Sequence, residues 1–100
     1  MQATFTITYA VGDLVNGDYF TTTSLGEALQ VYKDDAAAGA KVAFENRSDT
    51  EGREDWDIED FLSESKDFHY ITKITTIVTA DEETEEYRET IEGGTLDLNA

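Results

Sequence analysis

The chain contains no cysteine and no proline. Without sulfur there is no disulfide scaffold, no thiol nucleophile and no cysteine zinc site. Bases are scarce: seven Lys and Arg stand against 23 Asp and Glu, a formal net charge of −16 on 100 residues. So few cations cannot neutralise a track of phosphates, which excludes a basic nucleic-acid binder. No apolar run approaches the ~20 residues of a membrane-spanning helix.

Catalytic signatures are equally sparse. His69 is the one histidine, so a two-histidine metal site cannot be built. Its place between Phe68 and Tyr70 suits a structural or surface role. Ser24, Ser48, Ser63 and Ser65 lack the glycine context of a nucleophile elbow. Gly93-Gly94 precedes no helix, so it is not a phosphate-cradling loop. With 23 acids, carboxylate pairs are inevitable and do not by themselves signal acid–base catalysis. A calcium loop built on Gly52 as its invariant glycine places Arg47 and Ile58 where the first and last carboxylates belong, so the match fails. The expectation is a protein without enzymatic activity, metal or cofactor.

What is present argues for a folded domain. Hydrophobic residues make up 39% of the chain and aromatics 11%, and the apolar positions are periodic, unlike those of a disordered acidic segment. A chain of this size can bury roughly 65% of its unfolded surface. Phe5, Ile7, Tyr9 and Val11 alternate with Thr4, Thr6, Thr8 and Ala10, the pattern of a half-buried strand over 3–11. Asn16-Gly17 is the favoured pair of a two-residue hairpin, and 18–23 would be the returning strand. Ser24 with Glu27 three residues on forms a capping box. Leu25, Ala28, Leu29, Tyr32 and Ala36 then follow at helical spacing, predicting a helix over 25–38 closed by Gly39. Val42 and Phe44 alternate in 41–46, a short strand. Residues 47–55 carry no apolar side chain and read as a loop.

A second helix, capped by Asp55 or Asp57 and stapled by Trp56, is expected to run to about Ser65 with Ile58, Phe61 and Leu62 buried. Residues 68–79 form the longest β-like run. Its alternation is imperfect, which implies two partly covered faces or a bulge. Residues 80–83 turn, 84–92 form the last strand with Tyr87 and Ile91 inward, and Gly93-Gly94 ends it. Residues 95–100 are expected as a tail, with Leu96 and Leu98 able to extend an edge. The order β-β-α-β-α-β-β predicts a single α+β domain over 1–100, with about five strands in a mostly antiparallel sheet and two helices on one face.

The charge is uneven. Residues 1–50 sum to −4 and residues 51–100 to −12. Two segments dominate: Asp49, Glu51, Glu54, Asp55, Asp57, Glu59 and Asp60; then Asp81, Glu82, Glu83, Glu85, Glu86, Glu89 and Glu92. Arg53 and Arg88 are the only cations within them. Such crowding costs stability unless salt screens it, so a binding role is the sharper explanation. Phosphates recur every ~3.4 Å along each strand of a duplex. Carboxylates recur every ~6.6 Å on one side of a β-strand and every ~5.4 Å on adjacent turns of a helix. A folded acidic surface can therefore approximate a phosphate track. In the last hairpin Glu83, Glu85 and Glu89 share one parity, and Glu82, Glu86 and Glu92 the other. Trp56, set among acids, is a candidate hydrophobic anchor within the acidic rim.

The runs Glu51-Gly-Arg-Glu-Asp-Trp-Asp-Ile-Glu-Asp60 and Asp81-Glu-Glu-Thr-Glu-Glu86, with the small size and the absence of cysteine, give the chain a resemblance in composition to a known class. It resembles the small acidic DNA-mimic inhibitors that phages and mobile elements direct against host defence, the anti-CRISPR and anti-restriction proteins. The resemblance implies a basic nucleic-acid-binding protein or complex of the host as partner, with no direct contact to nucleic acid or membrane. The first five residues carry neither the basic nor the apolar segment of a secretory signal, so the expected location is cytoplasmic, the host cytoplasm for a phage-encoded chain. Two alternatives stand beside it. One is a small protein-interaction or accessory phage protein whose acidity serves solubility. The other is a salt-adapted domain, suggested by four Lys and fourteen Thr, although salt adaptation should spread charge over both halves.

Overall fold

The computed structural model describes residues 3–98. The elements are β1 (Thr4–Asp13), β2 (Gly17–Thr22), α1 (Leu25–Glu45), α2 (Ile58–Phe68), β3 (His69–Val78) and β4 (Thr84–Gly93), with a 3₁₀ turn at Arg47–Asp49. The strands form one antiparallel sheet in the order β2-β1-β3-β4, and the helix pair packs on it. The architecture is α+β as the sequence implies, with four strands where five were expected.

The missing strand is 41–46, which forms the last turns of α1. Gly39 does not end the helix. It sits where α2 passes so closely that a Cβ at this position would stand 3.0 Å from Ser65 Oγ. Ala36 and Ala40 are buried beside it. This row of small residues lets the helices touch, and Ser65 Oγ donates to the Ala36 carbonyl across the gap (2.7 Å). The helix closes at Asn46, whose Nδ2 donates to the Val42 carbonyl (2.9 Å). Phe44 meets Phe61 of α2 edge to face, ring centroids 6.3 Å apart, while Val42 is exposed. The alternation of Val42 and Phe44 imitates a strand, and contact with α2 makes the segment helical.

The first turn also differs from its expected form. Asp13 pairs with Gly17, leaving three residues, 14–16, in the loop. Gly17 takes a positive φ of 76° and Asn16 does not, so this is not the two-residue turn that Asn-Gly favours. Asp13 organises it instead. Its carboxylate accepts from the backbone N–H of Val15 (2.9 Å) and Asn16 (2.7 Å) and from Asn16 Nδ2 (3.0 Å). Burial opposes ionisation of Asp13, but these hydrogen bonds outweigh it and hold the pKa below the usual carboxylate value. A depressed folded pKa means that the stabilisation is complete above about pH 4 and drains as pH falls through the folded value. Asp13→Ala is expected to cost about 1–3 kcal/mol at neutral pH. In paired acid titrations of folding, the gap between wild type and variant should close below about pH 4. A gap independent of pH would show that the charge of Asp13 is not what holds the loop.

The second helix begins at the expected cap, but of the three residues expected to be buried only Phe61 is, Ile58 being exposed and Leu62 half-buried. Asp57 is the N-cap, in a reciprocal capping box with Asp60. Trp56, just before the cap, packs on Phe61 with ring centroids 5.1 Å apart, a hydrophobic staple. The helix continues to Phe68, so β3 starts at His69 rather than at Phe68. Thr95 and Leu96 are docked, both donating to the Asp67 carbonyl. Residues 99–100 of the expected tail lie outside the described residues.

The core is small. Val11 and Ile71 from the sheet meet Ala28 and Tyr32 of α1, with Tyr9, Phe20, Leu29 and Val31 around them. From this centre the elements depart in opposite directions. Beyond Gly39, at the start of β3, α1 and the return into α2 overhang the sheet and hold their own cluster of Phe44, Trp56 and Phe61. The other way, β1, β3 and β4 run on as a three-stranded blade without helix cover. The molecule measures 61 × 27 × 16 Å, with a radius of gyration of 17.1 Å. A compact chain of this length would have about 13 Å.

Candidate functional site

This elongation sets where the acids go. The segment from Asp49 to Asp60 occupies the loop and first turn at the helical end. Asp81, Glu82 and Glu83 lie at the tip of the β3–β4 hairpin, the far end of the blade. The two segments are thus not a single cluster.

Register places the β4 acids. Glu85 lies opposite Ile77, Glu89 opposite Lys73 and Glu92 opposite Ile71. Ile71 faces the helices, so all three acids lie on the helix-facing side. Parity alone puts Glu92 with Glu82 and Glu86 on the other side, and this is corrected by a β-bulge. The register shifts between Ile71 and Thr72, leaving Ile91 as the extra residue and turning Glu92 over. Ile91 is consequently exposed rather than inward, and so is Tyr87, because no helix reaches the blade.

The Tyr32 hydroxyl donates to the Lys66 carbonyl of α2 (2.7 Å), and burial with the charges of Glu92 and Asp67 pushes it above its usual pKa. On α2, Asp57, Asp60, Glu64 and Asp67 follow at spacings of three and four, one face of a helix. Acids thus follow one face of β4, as Glu85, Glu89 and Glu92, and one side of α2, as Asp57, Asp60, Glu64 and Asp67. Glu64 and Asp67 belong to this side of α2 and escape a reading based on local acid density. The helical period within 57–67 was the signal for them.

Of the two arginines of the acidic segments, Arg88 lies on the other face and Arg53 is paired with Glu64. Arg88 sits opposite Ile74, on the face away from the helices. Its guanidinium pairs with Asp18 of β2 and with Glu86. Strands lie about 4.8 Å apart, so an ion pair from β4 to β2 requires the sheet to curl. Tyr70 donates to the same Asp18 (2.7 Å), and burial together with Asp18 pushes the Tyr70 hydroxyl up to about 12. Burial opposes ionisation of Asp18, and the bonds from Tyr70 and Arg88 overcome it, leaving its pKa depressed. Arg53 pairs with Glu64 and lies over the Trp56 ring, 4.7 Å from its centroid.

Some predicted acids hold local structure. Asp57 and Asp60 form the capping box, and Glu54 accepts from the Gly52 N–H (3.0 Å). Glu85 accepts from the Tyr87 hydroxyl (3.1 Å) and Glu86 from Arg88. Asp49, Glu51, Asp55, Glu59, Asp81, Glu82, Glu83, Glu89 and Glu92 are exposed on loops, the first turn of α2, the hairpin tip or β4. Trp56 is half-buried in its staple.

An open cavity of about 210 Å³ lies between the helices, lined mainly by Ala43, Phe61, Phe68 and Leu96 with Ser65 and His69. Ser65 Oγ is engaged with the Ala36 carbonyl and His69 Nδ1 lies 2.9 Å from the Ser65 carbonyl, so the pair is held by backbone rather than poised as nucleophile and base. Among the described residues, no three His, Asp or Glu side chains converge to hold a metal ion, and no helix is long and apolar enough to cross a membrane. No family model, no curated protein and no solved structure matches the chain.

Proposed function

We propose that the chain is a non-enzymatic acidic inhibitor that occupies the basic nucleic-acid groove of a host defence protein, in the manner of anti-CRISPR and anti-restriction DNA mimics. One observation carries this reading: acids repeat along two elements of a 61 Å molecule, Glu85, Glu89 and Glu92 on one face of β4 and Asp57, Asp60, Glu64 and Asp67 at helical spacing on α2. That length matches about 18 base-pair steps of duplex. Arg88 is engaged on the opposite face, while Arg53, paired with Glu64, and Lys73, opposite Glu89, offset only part of the acidic charge. A surface of this kind attracts a Lys- and Arg-lined channel at a steered rate that falls with salt.

Capture from a lysate of the host cell tests this. At low salt the immobilised chain is expected to retain a nucleic-acid enzyme, and added duplex DNA or RNA should displace it. A partner retained at high salt and indifferent to nucleic acid would favour the second reading, a protein-interaction module in the cytoplasm. That alternative draws support from the blade, where Phe5 is 67% and Tyr87 57% exposed on the helix-facing side.

A further inference from the structure

The blade has two edges of opposite character. The β4 edge carries Glu85, Glu86, Arg88 and Glu89, the charged kind of edge that resists pairing with another strand. The other edge is β1. β2 covers it only from Tyr9, opposite Thr22, to Asp13, opposite Gly17. Beyond Thr22 the chain turns away into α1, so Thr4, Phe5, Thr6, Ile7 and Thr8 have β3 on one side and, among the described residues, no strand on the other. This stretch is uncharged and rich in β-branched residues, with no proline and no bulge. Alternate residues along it present backbone N–H and C=O groups outward. It lacks the devices by which sheets blunt an open edge.

We propose that this edge pairs with the same edge of a second copy, forming a two-fold symmetric dimer through antiparallel β1 strands. Charge selects the occupant. On a chain of net charge −16, two copies can approach closely only where neither presents carboxylates. The β1 edge meets that condition, lying two strands from the acidic β4. In the resulting eight-stranded sheet the β4 edges fall at opposite extremes, so the β4 acids of the two copies are held apart. Self-pairing of one patch is the isologous contact of a closed dimer. It would bring the exposed Phe5 of each copy beside the other strand, adding apolar burial to the backbone hydrogen bonds.

The test is the mass of the whole chain in solution by sedimentation equilibrium, at about 0.15 M salt to screen general repulsion. The wild type is expected to dimerise with concentration. Thr6 is the centre of the open stretch, so Thr6→Glu places like charges near each other across the contact. It should weaken the dimer on the order of tenfold or more, and so should Thr6→Lys. An equimolar mixture of the two should recover dimer. Thr90→Glu, on β4, controls for net charge and should leave the dimer unchanged, and circular dichroism confirms that each variant folds. A wild type monomeric to millimolar concentration overturns the proposal. So does association that is indifferent to Thr6→Glu, or that the mixture fails to restore.

Discussion

Changing Glu82, Glu83, Glu85 and Glu86 together to glutamine is expected to weaken binding to a basic groove sharply while leaving the fold intact. The change lowers the formal net charge from −16 to −12. Glutamine keeps the shape and an accepting oxygen, so the contacts of Glu85 with Tyr87 and Glu86 with Arg88 can persist without charge. The pair between Arg88 and Asp18 is untouched. Glu86 lies on the opposite face and is paired with Arg88, so three carboxylates count; at about 1 kcal/mol each, affinity falls about 10²-fold. Folding should respond in the opposite direction. Glu82 and Glu83 crowd with Asp81 at the hairpin tip, and removing like charges stabilises the native state at low salt. Stability at low ionic strength should therefore rise, and its dependence on salt should flatten. Binding unchanged by the quadruple substitution would defeat the mimic reading. Binding lost together with stability would point to damage of the hairpin instead.

Gly93→Ala is expected to be severely destabilising. Gly93 has a φ of 66°, and a Cβ there would overlap the carbonyl oxygens of His69 and Lys66. It is the point where β4 ends against the junction of α2 and β3, and the next residue donates to the His69 carbonyl (2.9 Å). A positive φ in a non-glycine residue costs about 1–3 kcal/mol alone, and relieving the overlap means separating these elements. A total loss above about 3 kcal/mol would lower the melting temperature by more than about 12 °C. Gly52→Ala provides the comparison. Gly52 has a φ of 87° and open space where a Cβ would project, so alanine there reports conformational strain without overlap. A Gly93→Ala protein no less stable than Gly52→Ala would remove the steric argument.

The parts of this fold legible in the sequence are those where local chemistry and tertiary packing agree. Ser24 and Asp57 cap helices because their side chains reach N–H groups three residues on. Trp56 and Phe61 staple α2 because a helix places those two positions side by side. Misreadings arise where a distant partner decides. Gly39 looks like a helix terminator until Ser65 is brought against it. Asn16-Gly17 looks like a two-residue turn until the Asp13 carboxylate captures the loop. The acidic segments were legible by composition, but the bulge at Ile91 controls the face of Glu92, and no local pattern announces it. That Tyr32 meets the Lys66 carbonyl depends on where α2 docks.

The strand order has a further consequence, one of timing. β1 is central in the sheet, and its longest partnership is with β3, where Thr4 pairs with Val78. Contacts between such distant parts of a chain form slowly, because the intervening loop must close first. On the ribosome β1 emerges early and can form only its hairpin with β2. The helices can pair next through Gly39 and Ser65. The Val11–Ile71 contact at the middle of the core must wait until β3 has left the tunnel. β1 thus waits for its second neighbour until β3 has been made, and throughout that interval its uncharged stretch from Thr4 to Thr8 stands open to the cell.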